Sequence, residues 1–342
     1  MEEIKLTQFS HGAGCGCKIA PSVLEKILHS EHRAPHAKLL VGYDTKDDAA
    51  VYDMGNGKAV ISTTDFFMPI VDDPFDFGRI ASVNSISDVY AMGGKPLMAI
   101  AILGWPVEKI PPGVAQKVLE GARTVCAEAG IPLAGGHSID SPEPIFGLAV
   151  TGDVEIKNIK KNSTATAGCK LFLTKPLGVG MITTAHKRGI ALKEDFDEAV
   201  KTMTRLNSIG YELGKLNYVM AMTDVTGFGL LGHLIEMCEG SNLTAEIVFS
   251  RIPKINNLSF YIDQKCIPGG TERNWKSYEN KVMGVDADSL TILADPQTSG
   301  GLLVAVDQEK EKEFISFLAQ SGIVTECFGE LKPKQDCCVS VK

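Results

Sequence analysis

A polar run over 155–168, rich in Lys, Asn, Ser and Thr, cuts the chain in two, and strand-like and helix-like patterns are mixed on both sides of it. That mixture constrains the fold more than any other feature. Strict alternation of strand and helix would feed a doubly wound parallel sheet. Irregular mixing on either side of a polar link predicts two α+β domains instead. At 342 residues the chain is long for one core and comfortable for two. The expected division is a flexible Gly-rich loop over 1–20, an α+β domain over 21–157 and a second over 168–342.

Periodicity sets the elements. Pro21 opens a helix with Val23, Leu24, Ile27 and Leu28 on one face. A β-branched run over 58–67 predicts a strand. Helices are expected over 77–91, where Ile80, Val83, Ile86 and Val89 share a face, and over 114–129, stopped by Gly130. Strand-like runs follow at 131–134 and 145–154. Beyond the link come a strand over 170–174, a long helical region over 193–216 and a loop-then-helix segment over 222–238. Strands near 246–249, 290–294 and 302–306 and a helix over 309–321 complete the pattern. Ser87-Asp88-Val89 and Thr223-Asp224-Val225 each precede glycines, a faint echo that would set one Asp equivalently in each half.

Hydrophobic residues make up 44% of the chain, enough for a real core and no sign of disorder. With 34 basic against 42 acidic residues the net charge is −8, which argues against nucleic acid as a partner. An acidic protein that handles nucleotide phosphates places metal cations between like charges, so its aspartates are worth following. The longest apolar stretch, 97–107, is broken by Gly104 and Pro106 and falls short of the roughly 20 residues that span a bilayer. No membrane partner is expected. The N-terminus lacks a signal-peptide core, and nine scattered cysteines, an odd number, read as reduced thiols in a cytoplasmic protein.

Three constellations could carry chemistry. Asp47-Asp48 sits in a polar turn, Asp65 near the end of a strand, Asp88 on a helix, and Asp224 before Val225-Thr226-Gly227. Mg²⁺ takes one or two carboxylates and fills its shell with phosphate oxygens and water, so aspartates from separate elements suit a triphosphate. Turn aspartates also cap helices or bond their own backbone. Ala134-Gly135-Gly136-His137-Ser138 follows a strand and reads as a turn that could bring bare N–H groups to an anion, or as a simple tight turn. No P-loop pattern occurs. Cys15-Gly16-Cys17-Lys18 puts thiols on a glycine hinge, with Lys18 and His11 near enough to favour a thiolate at Cys15. Half of a zinc site is the other reading, though Cys337-Cys338 lacks the usual ligand spacing. Cys126 and Cys238 read as core residues, and His233 as helix surface or core.

Taken with Ser62-Thr63-Thr64-Asp65-Phe66-Phe67, Gly269-Gly270-Thr271-Glu272-Arg273-Asn274 and Asp295-Pro296-Gln297-Thr298-Ser299-Gly300-Gly301, these segments resemble the selenophosphate synthetases. That family belongs to the aminoimidazole ribonucleotide synthetase-like superfamily, and the likeness runs from Leu6 to about Leu331. The resemblance implies ATP, selenide and water as substrates, with selenophosphate, AMP and phosphate as products that supply selenium for selenocysteine and selenouridine. It implies Cys15 and Lys18 as catalytic residues, and Mg²⁺ held through Asp48, Asp88 and Asp224. ATP contacts are implied at Lys18, Thr45, Lys46, Asp47 and Asp88, and across a homodimer interface at Asp65, Gly136, His137 and Ser138. The 1–20 loop would then be catalytic, and the 21–157 domain would bind ATP and dimerise. Another synthetase or a thiamine monophosphate kinase of that superfamily is the nearest rival, and a non-catalytic thiol sensor or selenium carrier the rival of another class.

Overall fold

The computed structural model describes residues 4–19, 21–28, 36–42 and 46–342; Thr45, an expected nucleotide contact, lies outside them. The first half runs α1 (Pro21–Leu28), β1 (Leu39–Val41), β2 (Ala50–Asp53), β3 (Lys58–Phe67), α2 (Pro74–Ala91), β4 (Lys95–Trp105), α3 (Pro112–Glu128), β5 (Leu133–Asp140) and β6 (Ile145–Glu155). Its strands form a six-stranded sheet in the order β1-β2-β3-β6-β4-β5. All neighbours are antiparallel except β4 and β5. β3 pairs with β6 along its whole length, from Lys58 opposite Glu155 to Phe67 opposite Phe146.

Side chains alternate along β3. Ala59, Ile61 and Phe67 are buried, whereas Ser62, Thr64 and Phe66 are exposed on the other face. Asp73 starts α2 by accepting from the Asp76 N–H (2.8 Å), and Pro74 occupies the first turn. From Phe77 to Ala91 every residue of α2 except Arg79 is buried, because the helix is enclosed by α3, the sheet and the second half. α2 and α3 meet at Gly78 and Gly121, where a Cβ would strike the Val118 and Phe75 carbonyl oxygens respectively. α1 is an exception to burial: Val23 and Ile27 of its apolar stripe stand exposed.

The second half runs β7 (Lys170–Leu173), α4 (Val179–Lys187), α5 (Lys193–Thr204), α6 (Ile209–Gly214), β8 (Val219–Asp224), α7 (Gly229–Ser241) and β9 (Leu243–Ile247). It continues through α8 (Leu258–Asp263), α9 (Gly269–Tyr278), β10 (Val282–Met283), α10 (Ala287–Leu293), β11 (Leu302–Val306), α11 (Glu311–Gln320), β12 (Gly329–Pro333) and β13 (Val339–Val341). A seven-stranded mixed sheet results, in the order β10-β13-β9-β12-β7-β11-β8. α2 packs on α5, α6 and β8, so the two halves share one hydrophobic core.

Four sequence expectations change. The 290–294 run is not a strand but the buried end of α10, whose capping box between Asp286 and Ser289 starts a helix that the short apolar run does not reveal. The helical region over 193–216 breaks at 205–208, where Arg205 is extended and the Asn207 side chain donates to Ser87 Oγ (2.8 Å) and Gly300 O (2.8 Å). The glycines of 134–138 do not make a turn after a strand; they lie inside β5, an exposed edge strand. Asp88 and Asp224 are not equivalent either, since one sits within a helix and the other ends a strand.

Candidate active site

β3 carries Thr63 and Asp65 on the face that meets α2, and α2 answers with a polar stripe of Asn84, Ser87 and Asp88 in otherwise apolar surroundings. Thr63 Oγ1 donates to Asp88 Oδ2 (2.5 Å), and Asn84 Nδ2 donates to Asp65 Oδ2 (2.5 Å). From the second half, β8 ends at this stripe with Asp224, and Thr223 Oγ1 donates to Asp48 Oδ1 (2.7 Å). Four carboxylates from separate elements thus face one another: Asp48, Asp65, Asp88 and Asp224.

Their titration follows from that crowding. Burial first, then the neighbouring Asp224, pushes Asp48 well above the usual carboxylate range. Burial and the charges of Asp65, Asp224 and Asp48 do the same to Asp88. Asp224 is pushed up to about 6, again chiefly by burial, against a lowering contribution from a Ser87 hydrogen bond. Asp48 Oδ2 and Asp224 Oδ2 are buried without any hydrogen-bond partner. Orphaned, proton-hungry oxygens of this kind are what a hard divalent cation would satisfy. Among the described residues no group of three or more His, Cys, Asp or Glu side chains closes around one point.

The N-terminal segment lies docked over this cluster. Gly14 adopts φ +50°, and its N–H donates to Met68 O (3.1 Å), turning the chain so that Cys15 enters the core. The Cys15 N–H donates to Thr298 Oγ1 (3.0 Å) and its Sγ to Asn84 Oδ1 (3.2 Å). Lys18 Nζ stands 3.5 Å from Asp65 Oδ1. Its pKa is raised: the desolvation it meets beside the core would lower it, and the charges of Asp65, Cys15, Asp88 and Asp224 outweigh that, although the side chain keeps access to solvent. Gly227 admits the segment, since a Cβ there would meet Cys15 O and Lys18 Cδ.

The thiol differs from expectation. Cys15 is 1% exposed, and burial raises its pKa more than Lys18 lowers it. His11 does not assist, because its Nδ1 engages Glu143 (2.8 Å). The thiol therefore rests protonated in this arrangement.

Asp47 Oδ1 accepts from Asn162 N (2.8 Å) and Lys46 O from Asn162 Nδ2 (2.8 Å), which sets the turn that delivers Asp48. Gly136, His137 and Ser138 are not brought to the cluster within one chain. They pair with Ala101, Ile102 and Leu103 of β4 at the sheet's far edge. His233 is core: Thr226 N donates to its Nε2 (3.1 Å), and burial drives its pKa to about 3.

Two participants, Asn84 and Ser87, and one further buried carboxyl, Asp295, escaped the sequence reading. Asn84 joins Cys15, Asp65 and Ser299, whose N–H donates to Asn84 Oδ1 (2.7 Å). Ser87 links Asn207 to Asp224. Asp295, fully buried, accepts from Gly180 N (3.0 Å) and Gln297 Nε2 (2.7 Å), leaving Oδ1 without a partner. A run of Asn, Ser, Ser and Asp on a helix that is otherwise apolar was the available signal.

Comparison with known proteins matches residues 46–154 to the N-terminal domain and 166–341 to the C-terminal domain of AIR synthase related protein. The selenide, water dikinase of Pasteurella multocida is 58% identical over 335 residues, 97% of this chain and 95% of that one. The protein of the same name from Escherichia coli K12 is 59% identical over 331 residues, covering 96% and 95%. Among solved structures, thiamine-monophosphate kinase from Stenotrophomonas maltophilia aligns with a TM-score of 0.66 at 17% identity, over 90% of this chain and 92% of that one. The HypE-HypF complex aligns at 0.68 and 18%, over 94% of each. At such identities these two likenesses speak for the fold alone.

Proposed function

This chain belongs to the selenide, water dikinase family of AIR synthase-related proteins, and from that premise we propose how its carboxylate cluster performs the synthesis of selenophosphate from ATP, selenide and water. The observation that carries the reading is the set of buried carboxylates, two with orphaned oxygens, gathered beneath a segment that bears Cys15 and Lys18. Asp48, Asp88 and Asp224 would hold Mg²⁺, which when bound neutralises the polyphosphate and offsets the repulsion among them. The residual nucleotide, after the γ-phosphoryl group leaves for selenide, is hydrolysed to AMP and phosphate.

Phosphoryl transfer asks a protein to position its partners and to balance spreading negative charge. Lys18 is a cation on a glycine-flanked segment, held by Asp65 until phosphate oxygens compete for it. Asn84 fixes Cys15 and Asp65 on one side chain, so the thiol and the Lys18 partner keep register. Burial of Cys15 under the docked segment excludes water from selenide during the first transfer. Lys46 and Asp47, on the turn next to Asp48, stand where the nucleotide would enter.

The remaining nucleotide contacts are assigned to a second copy of the chain. Phe66, Ile100 and Ile139 are 51%, 45% and 60% exposed on the open face and edge of the first sheet. An apolar sheet face and an unpaired edge strand favour a homodimer, which would carry Gly136, His137, Ser138 and a shared Asp65 into the partner's site. No helix among the described residues is long and apolar enough to cross a membrane.

The experiment is anaerobic ³¹P NMR with Mg-ATP, with and without selenide, beside Cys15→Ser. A selenide-dependent phosphorus resonance with AMP and phosphate, lost in the variant, is expected. ADP as sole product, or no need for selenide, would sink the reading.

A further inference from the structure

Beside the N-terminal segment lies a cavity of about 250 Å³ whose lining includes none of the four clustered carboxylates. Its rim carries His11, Lys187 and Arg273, and its lining includes Thr183, Thr184 and Thr298. No carboxylate lines it. Lys187 Nζ donates to Ser10 O (3.1 Å) and Arg273 Nη2 to Gly16 O (2.9 Å). Neither cation has a carboxylate partner among the described residues. The nearby acids are committed elsewhere: Glu143 to His11, Asp72 to His186 (3.6 Å), and Glu272 to Lys276 (2.6 Å).

The floor of the cavity leads to the thiol. Thr298, 1% exposed, lines the cavity and accepts the Cys15 N–H through the same side chain. Ile70 and Thr298 are also what a Cβ on Gly14 would strike. One layer of side chain therefore separates the cationic cavity from Cys15.

The charges decide which substrate uses it. At neutral pH selenide is the monoanion HSe⁻. Approaching through the nucleotide side, it would have to pass the triphosphate and the carboxylates that would hold its cations. A cationic mouth instead concentrates small anions ahead of the reaction. Resting on the reading of the chain as a selenophosphate-forming enzyme, we propose that this cavity is the entry and holding site for hydroselenide, distinct from the nucleotide site. Thr298 and the Gly14 turn would form its inner gate to Cys15.

Thr184 tests this without disturbing the segment, since its side chain faces the cavity from α4 and makes no contact with residues 10–16 among the hydrogen bonds described. Thr184→Glu is expected to raise KM for selenide about fivefold and Thr184→Lys to lower it by a similar factor, with KM for ATP unmoved. Both shifts should shrink at high ionic strength. Arg273→Gln should raise KM for selenide, and Arg273→Lys should restore it. If Thr184→Glu and Thr184→Lys move KM for selenide alike, or move both KM values together, the entry site is refuted while selenide-dependent AMP release by the unmodified protein still upholds the reaction. If that release itself is missing, the reaction assignment falls first and the entry site with it.

Discussion

Asp295 offers a sharp test of how burial tunes this protein. It is fully buried, and desolvation pushes its carboxyl up to about 7 despite hydrogen bonds from Gln297 and Gly180. A carboxyl raised above its unfolded value stabilises the fold while protonated, and that contribution fades as pH rises through the folded value. From an unperturbed 3.8 to about 7, the full loss is about 4 kcal/mol, of which about 2 kcal/mol falls between pH 5 and pH 7. Asp295→Asn keeps an acceptor for Gly180 N but cannot titrate. With about 2.1 cal/mol/K of unfolding entropy per residue over 342 residues, 1 kcal/mol moves an apparent Tm by about 1.4 °C. The Tm of the variant minus that of the parent should therefore climb by about 3 °C from pH 5 to pH 7. Scanning calorimetry in matched buffers reads this directly. A difference that stays flat across the interval, or that falls, refutes the claim that Asp295 is protonated in the folded protein at mildly acidic pH.

Asn84→Ala removes the side chain shared by Cys15, Asp65 and the Ser299 N–H, and orphaning that buried N–H alone costs about 1–3 kcal/mol. Selenide-dependent AMP release should drop at least about tenfold, more than in a parent protein destabilised equally by urea, and equal loss in both would assign Asn84 a merely structural role. Gly78→Ala wedges a methyl into the α2–α3 crossing and should lower stability by about 1–3 kcal/mol in denaturant titrations, with an unchanged midpoint counting against the close approach. Mg²⁺ added to the nucleotide-free protein should raise its Tm by relieving Asp48 and Asp224, and Asp224→Asn should abolish most of that rise; a variant that still responds fully would remove Asp224 from the cation site.

The fold was legible where local signals were strong. β3 and β11 match their β-branched runs over 58–67 and 302–306, and α2 and α3 follow the spacing of their apolar residues. β4 went unread as a strand because its run, Lys95–Trp105, shows no alternation, being buried on one face and apolar on the open one. The 290–294 run misled for the opposite reason. Five apolar or β-branched positions cannot tell a strand from a buried helical turn, and the deciding capping box lay upstream at Asp286 and Ser289.

The candidate site was legible in its charges and opaque in its supports. Asp48 stands out in a polar turn, Asp65 near the end of a strand, and Asp88 and Asp224 just ahead of glycines, and the structure brings them from four separate elements to face one another. Nothing local says that Cys15 would be buried rather than mobile, since its hydrogen-bond partners are Asn84 and Thr298, the latter 283 residues away. The same distance explains the thiol. Proximity in sequence to Lys18 and His11 suggested a thiolate, but burial by remote segments dominates and His11 turns to Glu143. Charge can be read from neighbours along the chain; desolvation is a property of what folds over them. On the proposed reading, four carboxylates beside a buried thiol would wait for cations, and the cationic cavity next to the Cys15 segment would give hydroselenide a separate way in.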